Sequence, residues 1–145
     1  MTLQNLVDDA KKAEKTRDVK VGVLAGTGVH PNAEHGETVA EIAAKNEFGE
    51  KHVPARPFLR PAINEHHSDI TEVVRKTLVR LLKGEITAAQ AESALGMTGQ
   101  TLIRTQIDKT TTPPNAPRTI AEKGSDHPLI DTGLLKQSIN WGPDA

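Results

Sequence analysis

Six histidines are the side chains most able to do chemistry in this chain, and their spacing decides what kind. His66 and His67 are adjacent, so on a helix they diverge by about 100° and cannot share one ion as an i,i+4 pair does. His30, His35, His52 and His127 fall in stretches that read as loops, and neither H-x-x-x-H nor H-E-x-x-H occurs. The chain has no cysteine, which removes thiolate metal sites, disulfides and a cysteine nucleophile together. Ser68, Ser93, Ser125 and Ser138 lack a G-x-S-x-G setting, and no pattern places a base beside any of them. The run from Gly22 through Gly26 to Gly28 follows a strand-like segment and mimics a phosphate loop. Such a loop needs a helix to open at once, with its N-terminus on the phosphate, and here Pro31 and further loop residues intervene. The expectation is a protein that is not an enzyme and takes no cofactor or metal.

A second kind of chemistry is the reading of DNA. Residues 87–104, TAAQAESALGMTGQTLIR, have the cadence of a helix-turn-helix with Gly96 as the turn. Thr98, Gln100, Thr101 and Arg104 would then be available to base edges. Against this, Glu92 occupies the position four before the turn, where close helix packing wants a small residue. The segment from Glu85 to Lys109 is also net acidic, whereas groove binding draws its affinity from phosphate neutralisation. A DNA-binding regulator is therefore the alternative, and a plain helix with a glycine irregularity is preferred.

The basic residues are sparse. Arg75, Lys76, Arg80 and Lys83 fit the solvated face of a helix, interleaved with Glu65, Asp69 and Glu72. Arg56 and Arg60 differ, because they sit four apart within Asn46–Ile63, NEFGEKHVPARPFLRPAI, which holds both phenylalanines of the chain. Gly49 just past Phe48 closes a preceding helix. Each X-Pro junction pushes the residue before it out of the helical region, so His52 to Pro57 is expected to be extended. Pro61 fits only in the first turn of the next helix, where its missing N–H has no intrahelical acceptor. The stretch reads as helix end, extended crossing and helix start, displaying Arg56 and Arg60 at the crossing.

The wording of this stretch also carries a resemblance. Asn46-Glu47-Phe48-Gly49, then Val53-Pro54-Ala55-Arg56-Pro57-Phe58-Leu59-Arg60-Pro61, and much later Pro128-Leu129-Ile130-Asp131-Thr132-Gly133-Leu134-Leu135 running to Ser138-Ile139, resemble tailed-phage virion-morphogenesis and tail-completion proteins. Pro113-Pro114-Asn115-Ala116-Pro117, Thr119-Ile120-Ala121 and Lys123-Gly124-Ser125 are similar as well. These pieces cover about half the chain in the right order, and none is a catalytic motif. The resemblance implies a structural virion protein that acts at the head–tail junction as a homo-oligomeric ring, hexameric or dodecameric. Its neighbours would be neck, connector or tail-tube proteins, and DNA would pass through its channel without sequence readout. Assembly would occur in the host cytoplasm, with the neck or tail of the virion as destination. The implied interface residues are Phe48, Gly49, Pro54, Arg56, Pro57, Phe58, Arg60, Pro61, Asp131, Thr132 and Gly133.

The elements that position these groups follow from periodicity. The 145 residues suit one domain, 1–145, and with 36% hydrophobic and 2% aromatic content any core is expected to be aliphatic and thin. A net charge of −1 gives no global field for nucleic acid or an anionic membrane. No apolar run approaches the roughly 20 residues of a membrane span, and the acid-bearing N-terminus is not a signal or transit peptide, so a soluble, intracellularly made protein is expected. Leu3, Leu6, Val7 and Ala10 mark a first amphipathic helix, and Val19, Val21 and Val23 a strand. Thr38-x-x-Glu41 and Thr87-x-x-Gln90 are capping boxes opening two further helices. Between these two, Leu59 to Lys83 reads as one long helix ending at Gly84. Gly26–Gly36 and Thr110–Pro128 read as docking loops, the second within a long mobile loop over 108–128. Asp131 is placed to cap a short helix from Thr132 to about Gln137, with Gly133 inside its first turn, and Ser138–Trp141 to pair with the first strand. The expected fold is α+β: a small, mostly antiparallel sheet packed against the long helix, with extended docking loops.

Overall fold

Thr38 and Thr87 each begin a helix that carries the core. Thr38 Oγ1 accepts from the Glu41 N–H at 3.2 Å while the Thr38 N–H donates to Glu41 Oε2 at 2.7 Å. The Thr87–Gln90 pair repeats this reciprocity at 3.2 and 2.9 Å. The computed structural model describes residues 2–24, 26, 28–31, 36–129 and 133–143. Its elements, in chain order, are α1 (Leu3–Glu14), β1 (Val19–Val23), α2 (Val39–Phe48), α3 (Leu59–Asn64), α4 (His67–Leu82), α5 (Ala88–Lys109), α6 (Pro117–Lys123), α7 (Leu134–Ser138) and β2 (Ile139–Pro143).

The sheet is the antiparallel pair β1–β2, with Val21 opposite Trp141 and Val23 opposite Ile139. This confirms an α+β fold and the expected pairing of the 138–141 segment with the first strand. The sheet lies on α5, however, and not on the 59–83 segment. The reason is the pair of glycines that helix propensity counts as liabilities. A Cβ on Gly96 would stand 2.2 Å from Trp141 Cδ2, and one on Gly99 would stand 3.0 Å from Val21 Cγ2. Three residues apart, the two share a helix face and let both strands approach the α5 backbone. Gln100 Nε2 and Arg104 Nη2 then donate to the Ile139 carbonyl at 2.8 and 2.9 Å.

The core gathers Val39 and Ala43 of α2, Phe58, Ala62 of α3, Ile103 and Ile107 of α5, Leu129, Leu135 of α7 and Ile139 of β2. The expected all-aliphatic interior is thus corrected by one aromatic, since Phe58 is fully buried among these groups. Sequence periodicity also joined what the chain breaks. Residues 59–82 form two helices, parted where His66 leaves the helical region at φ −112°, ψ 20°. Asn64, His66, His67, Ser68 and Asp69 are all weak helix formers, so the run between Ile63 and Ile70 has little to hold it straight. The break leaves Ala62 of α3 in the core, while α4 buries only Thr77 and Leu81.

The expected 110–128 loop is corrected too, because it contains α6. Pro117 opens that helix, left-handed Gly124 (φ 69°) closes it, and the Gly124 N–H returns to Ile120 O at 2.9 Å. Residues 108 and 109 belong to α5. The ends of the 26–36 loop meet: the His30 N–H donates to Glu37 O at 2.8 Å and Val39 N–H to Gly28 O at 3.2 Å. No helix among the described residues is long and apolar enough to cross a membrane.

Candidate functional site

The face of α2 that turns inward carries Val39, Ala43 and, one turn further, Glu47. Glu47 is 1% exposed, and a buried carboxylate must find donors. It finds them at the start of α3. Oε2 accepts from the Phe58 and Leu59 N–H groups at 2.7 and 2.9 Å, and Oε1 accepts from the Arg60 N–H at 3.1 Å. These are the orphan donors of a helix N-terminus, so Glu47 acts as the cap that α3 lacks in its own sequence, where Phe58 offers no side-chain bond. Arg60 completes the cluster, with Nε on Glu47 Oε1 at 2.8 Å and Nη2 on Glu47 O at 2.8 Å. Burial, the largest single influence on Glu47, pushes its carboxyl up. The Arg60 guanidinium and the three backbone donors together outweigh it, leaving the group below the usual glutamate value.

Arg56 is the second anchor. It is buried, and its guanidinium reaches across to the segment after α5, with Nε donating to Pro113 O at 2.7 Å and Nη2 to Pro114 O at 3.0 Å. Its backbone N–H donates to Asn46 O at 2.6 Å. Burial pulls its pKa below the ordinary guanidinium value. The expectation that both arginines are displayed at the crossing is therefore corrected: Arg56 is spent on contacts within the chain, and Arg60, exposed along one side, is bonded to Glu47 on the other. The crossing is also tighter than an extended strand at its start, since Glu50 and Val53 exchange N–H to carbonyl bonds at 2.8 and 3.0 Å around Lys51-His52. Gly49 makes this turn fit. Its φ is +77°, and a Cβ there would stand 3.0 Å from Ala55 N and 3.2 Å from Val53 O. Lys45 ties the joint to its surroundings through Glu37 and, at 3.1 Å, Glu50.

At the surface the joint presents Phe48, 70% exposed, with the Arg60 guanidinium carbon 5.2 Å from its ring centroid. Of the residues the sequence nominates, Phe48, Pro54 and Arg60 are exposed; Gly49, Pro57 and Pro61 are half-buried; Arg56 and Phe58 are buried. Pro61 lies in the first turn of α3, as its chemistry requires. Asp131 and Thr132 lie outside the described residues. Gly133 is half-buried and is not inside the first turn of α7: it is the residue before it, at φ 77°, ψ 2°. Its left-handed backbone is the reason for glycine, and the nearest atom to a Cβ there is Gln137 Nε2 at 3.5 Å rather than another backbone. The sequence reading names Glu47 only within the Asn46–Gly49 motif and gives it no role. The signal was present, because an acid at i+4 and i+8 from Ala43 and Val39 falls on the apolar stripe of its helix.

A second clamp lies between the end of α1 and α5. Glu92, 5% exposed, accepts from the Arg17 N–H at 3.0 Å and from Arg17 Nη2 at 3.1 Å, and these bonds hold its carboxyl below the usual range. Beside this pair an apolar groove of about 550 Å³ runs between α4 and α5. The helix-turn-helix geometry is not formed. Residues 88–109 are one continuous helix, Trp141 covers Gly96, and Gln100 and Arg104 are engaged with β2. On α4, Arg75 and Lys76 pair with Glu72, and Arg75 holds that carboxyl down at about 2. Among the described residues no group of three or more metal-ligating side chains converges.

Comparison of the chain with protein-family models, with curated proteins and with solved structures returns no match.

Proposed function

We propose that this chain is a structural virion protein of a tailed phage, assembling as a homo-oligomeric ring at the head–tail junction through which DNA passes. The observation that carries the reading is the joint at residues 46–63, which bears the resemblance to tail-completion proteins. Its buried polar groups make it stiff: Glu47 caps α3 and Arg56 grips Pro113 and Pro114, while Gly49 closes the turn. What this stiffness achieves is the presentation of Phe48 with Arg60 beside it, an aromatic–guanidinium pair of the kind that anchors protein interfaces. The two buried charges of the joint, Glu47 and Arg56, are directed at backbone groups of α3 and of the 113–114 segment. The neighbours would be neck, connector or tail-tube proteins, and the location the virion neck or tail. Native mass spectrometry and negative-stain imaging of the purified chain, followed by reconstruction of the particle neck, test this. A closed ring with an axial channel is expected. A dimer that binds duplex DNA in a salt-sensitive way would replace the reading with that of a DNA-binding regulator.

A further inference from the structure

Helix α1 is joined to the rest of the domain by little that is buried. It lies chiefly against α4, yet no described side chain of α1 is buried, and Leu3 and Val7 are 81% and 43% exposed. Segments with few buried apolar groups open at the low end of a protein's range of local stabilities. A helix of 12 residues is marginal in water by itself, so α1 taken off α4 would also unwind. The segment that follows is held differently. β1 is paired with β2 along its length, and Val21 rests over Gly99 of α5. Opening that begins in α1 is therefore expected to stop at Val19.

Between the loose helix and the fixed strand lies the Arg17–Glu92 clamp. Thr16 ends α1 with its N–H and its hydroxyl on Ala13 O, and Arg17 then binds across to α5. Glu92 is 5% exposed and accepts from the Arg17 N–H at 3.0 Å and from Nη2 at 3.1 Å. One carboxylate thus fixes both the backbone and the side chain of the hinge residue, 75 positions away in sequence. A buried charge stripped of these donors is costly, so the place of the hinge and the ionisation of Glu92 are linked. Of the described residues lining the adjoining groove, only Arg17, Asp18 and Glu92 titrate, and those from β1, α3 and α4 are aliphatic.

We propose that α1 is a releasable strap, latched through Arg17 and Glu92, and that breaking this latch frees α1 from α4 while the domain from β1 onward stays folded. Release also takes a helix from beside the aliphatic groove that Ile70, Val74 and Leu78 wall on the α4 side. Acid is one way to break the latch. The Arg17 guanidinium, and after it the Arg17 N–H, hold the Glu92 carboxyl below the usual range. The latch is whole above the unfolded value of about 4.3 and is lost as pH falls through the lower folded value. The strap does not depend on the ring reading, which rests on the joint at residues 46–63.

Hydrogen exchange of the full chain, read segment by segment by mass spectrometry and corrected for the intrinsic rate at each pH, tests this. Glu92→Gln keeps the shape of the side chain and removes its charge. At pH 7 it should speed exchange in α1 by at least about tenfold, the scale of one bond to a charged group. Exchange in α2 and in residues 100–109 of α5 should not change. Arg17→Gln leaves the carboxylate its backbone donor and should give a smaller rise in the same segment. Below about pH 4 the unaltered chain should approach the Glu92→Gln rate in α1. Equal α1 exchange in Glu92→Gln and the unaltered chain at pH 7 overturns the latch. A rise in α1, α2 and residues 100–109 in step overturns the strap, because α1 then leaves only with the whole fold. A gap between the two proteins that persists unchanged to pH 3 overturns release by acid.

Discussion

Glu47 and Arg60, thirteen residues apart, meet at 2.8 Å with the carboxylate buried and the guanidinium half in solvent. The asymmetry predicts unequal losses. Glu47→Ala leaves three backbone N–H groups of α3 without their acceptor and should cost about 3 kcal/mol, in the range for breaking a buried charged network. Arg60→Ala removes one of four donors from a carboxylate that keeps the other three and should cost about 1 kcal/mol. Urea unfolding of the two variants checks the order, and equal losses would place the weight on the ion pair instead of the helix cap.

The same carboxylate gives the fold an acid limit. Its folded pKa lies below the ordinary glutamate value, so protonation favours the unfolded chain. The stability it contributes is fully present above the unfolded value of about 4.3 and is lost as pH falls through the lower folded value. Glu47→Gln should therefore be less stable than the unaltered chain at neutral pH, with the difference narrowing below about pH 4. Denaturation midpoints measured between pH 3 and 7 decide it; a constant gap would mean the carboxyl does not titrate with folding.

Arg56 holds two carbonyls in a fork that lysine cannot reproduce. Arg56→Lys should lose about 1–2 kcal/mol and Arg56→Ala about 2–3 kcal/mol, because bonds to charged donors exceed neutral ones. Hydrogen exchange should then rise in the 110–116 segment in both variants before it rises in α2. If only α2 responds, the clamp serves the crossing and not the segment it grips.

Gly96 sets helix propensity against packing. Alanine there gains up to about 1 kcal/mol of helix preference, but its Cβ would meet Trp141 at 2.2 Å. Overpacking of that kind costs typically about 1–3 kcal/mol, so Gly96→Ala should be net destabilising. Trp141 is the only tryptophan, and its fluorescence reports the displacement directly. Adding Trp141→Leu should return part of the loss; failure to do so would mean the glycine is needed for something other than the ring above it.

What was legible from the sequence is what depends on near neighbours. Thr38 with Glu41 and Thr87 with Gln90 announce helix starts because both partners of each bond lie within one turn. The alternation of Val19, Val21 and Val23 gives β1, and Pro61 gives the start of α3. What was hidden depends on groups brought together by the fold. Glu47 reads as one more acid on a helix until Phe58, Leu59 and Arg60 are placed against it. Gly96 reads as a turn until Trp141 of β2 is laid over it. The break at His66 was masked because the apolar stripe continues on both sides of it, although the weak helix formers between carry the signal.

The pairing of β1 with β2 also fixes when this protein can finish folding. Helices α2 to α7 separate the two strands in sequence, so β1 is synthesised well before its partner. Until β2 emerges, Val19–Val23 has no strand beside it, and α5 carries bare backbone at Gly96 and Gly99 where the sheet will sit. Contacts of such long sequence separation form late and slowly, and an unpaired strand edge is a template for pairing with other chains. Helices α2 to α5 can collapse around Phe58 while translation continues, so the exposed hazard is confined to one five-residue strand. That strand is interrupted by Gly22 and bears Lys20, both of which discourage pairing with a stranger while it waits.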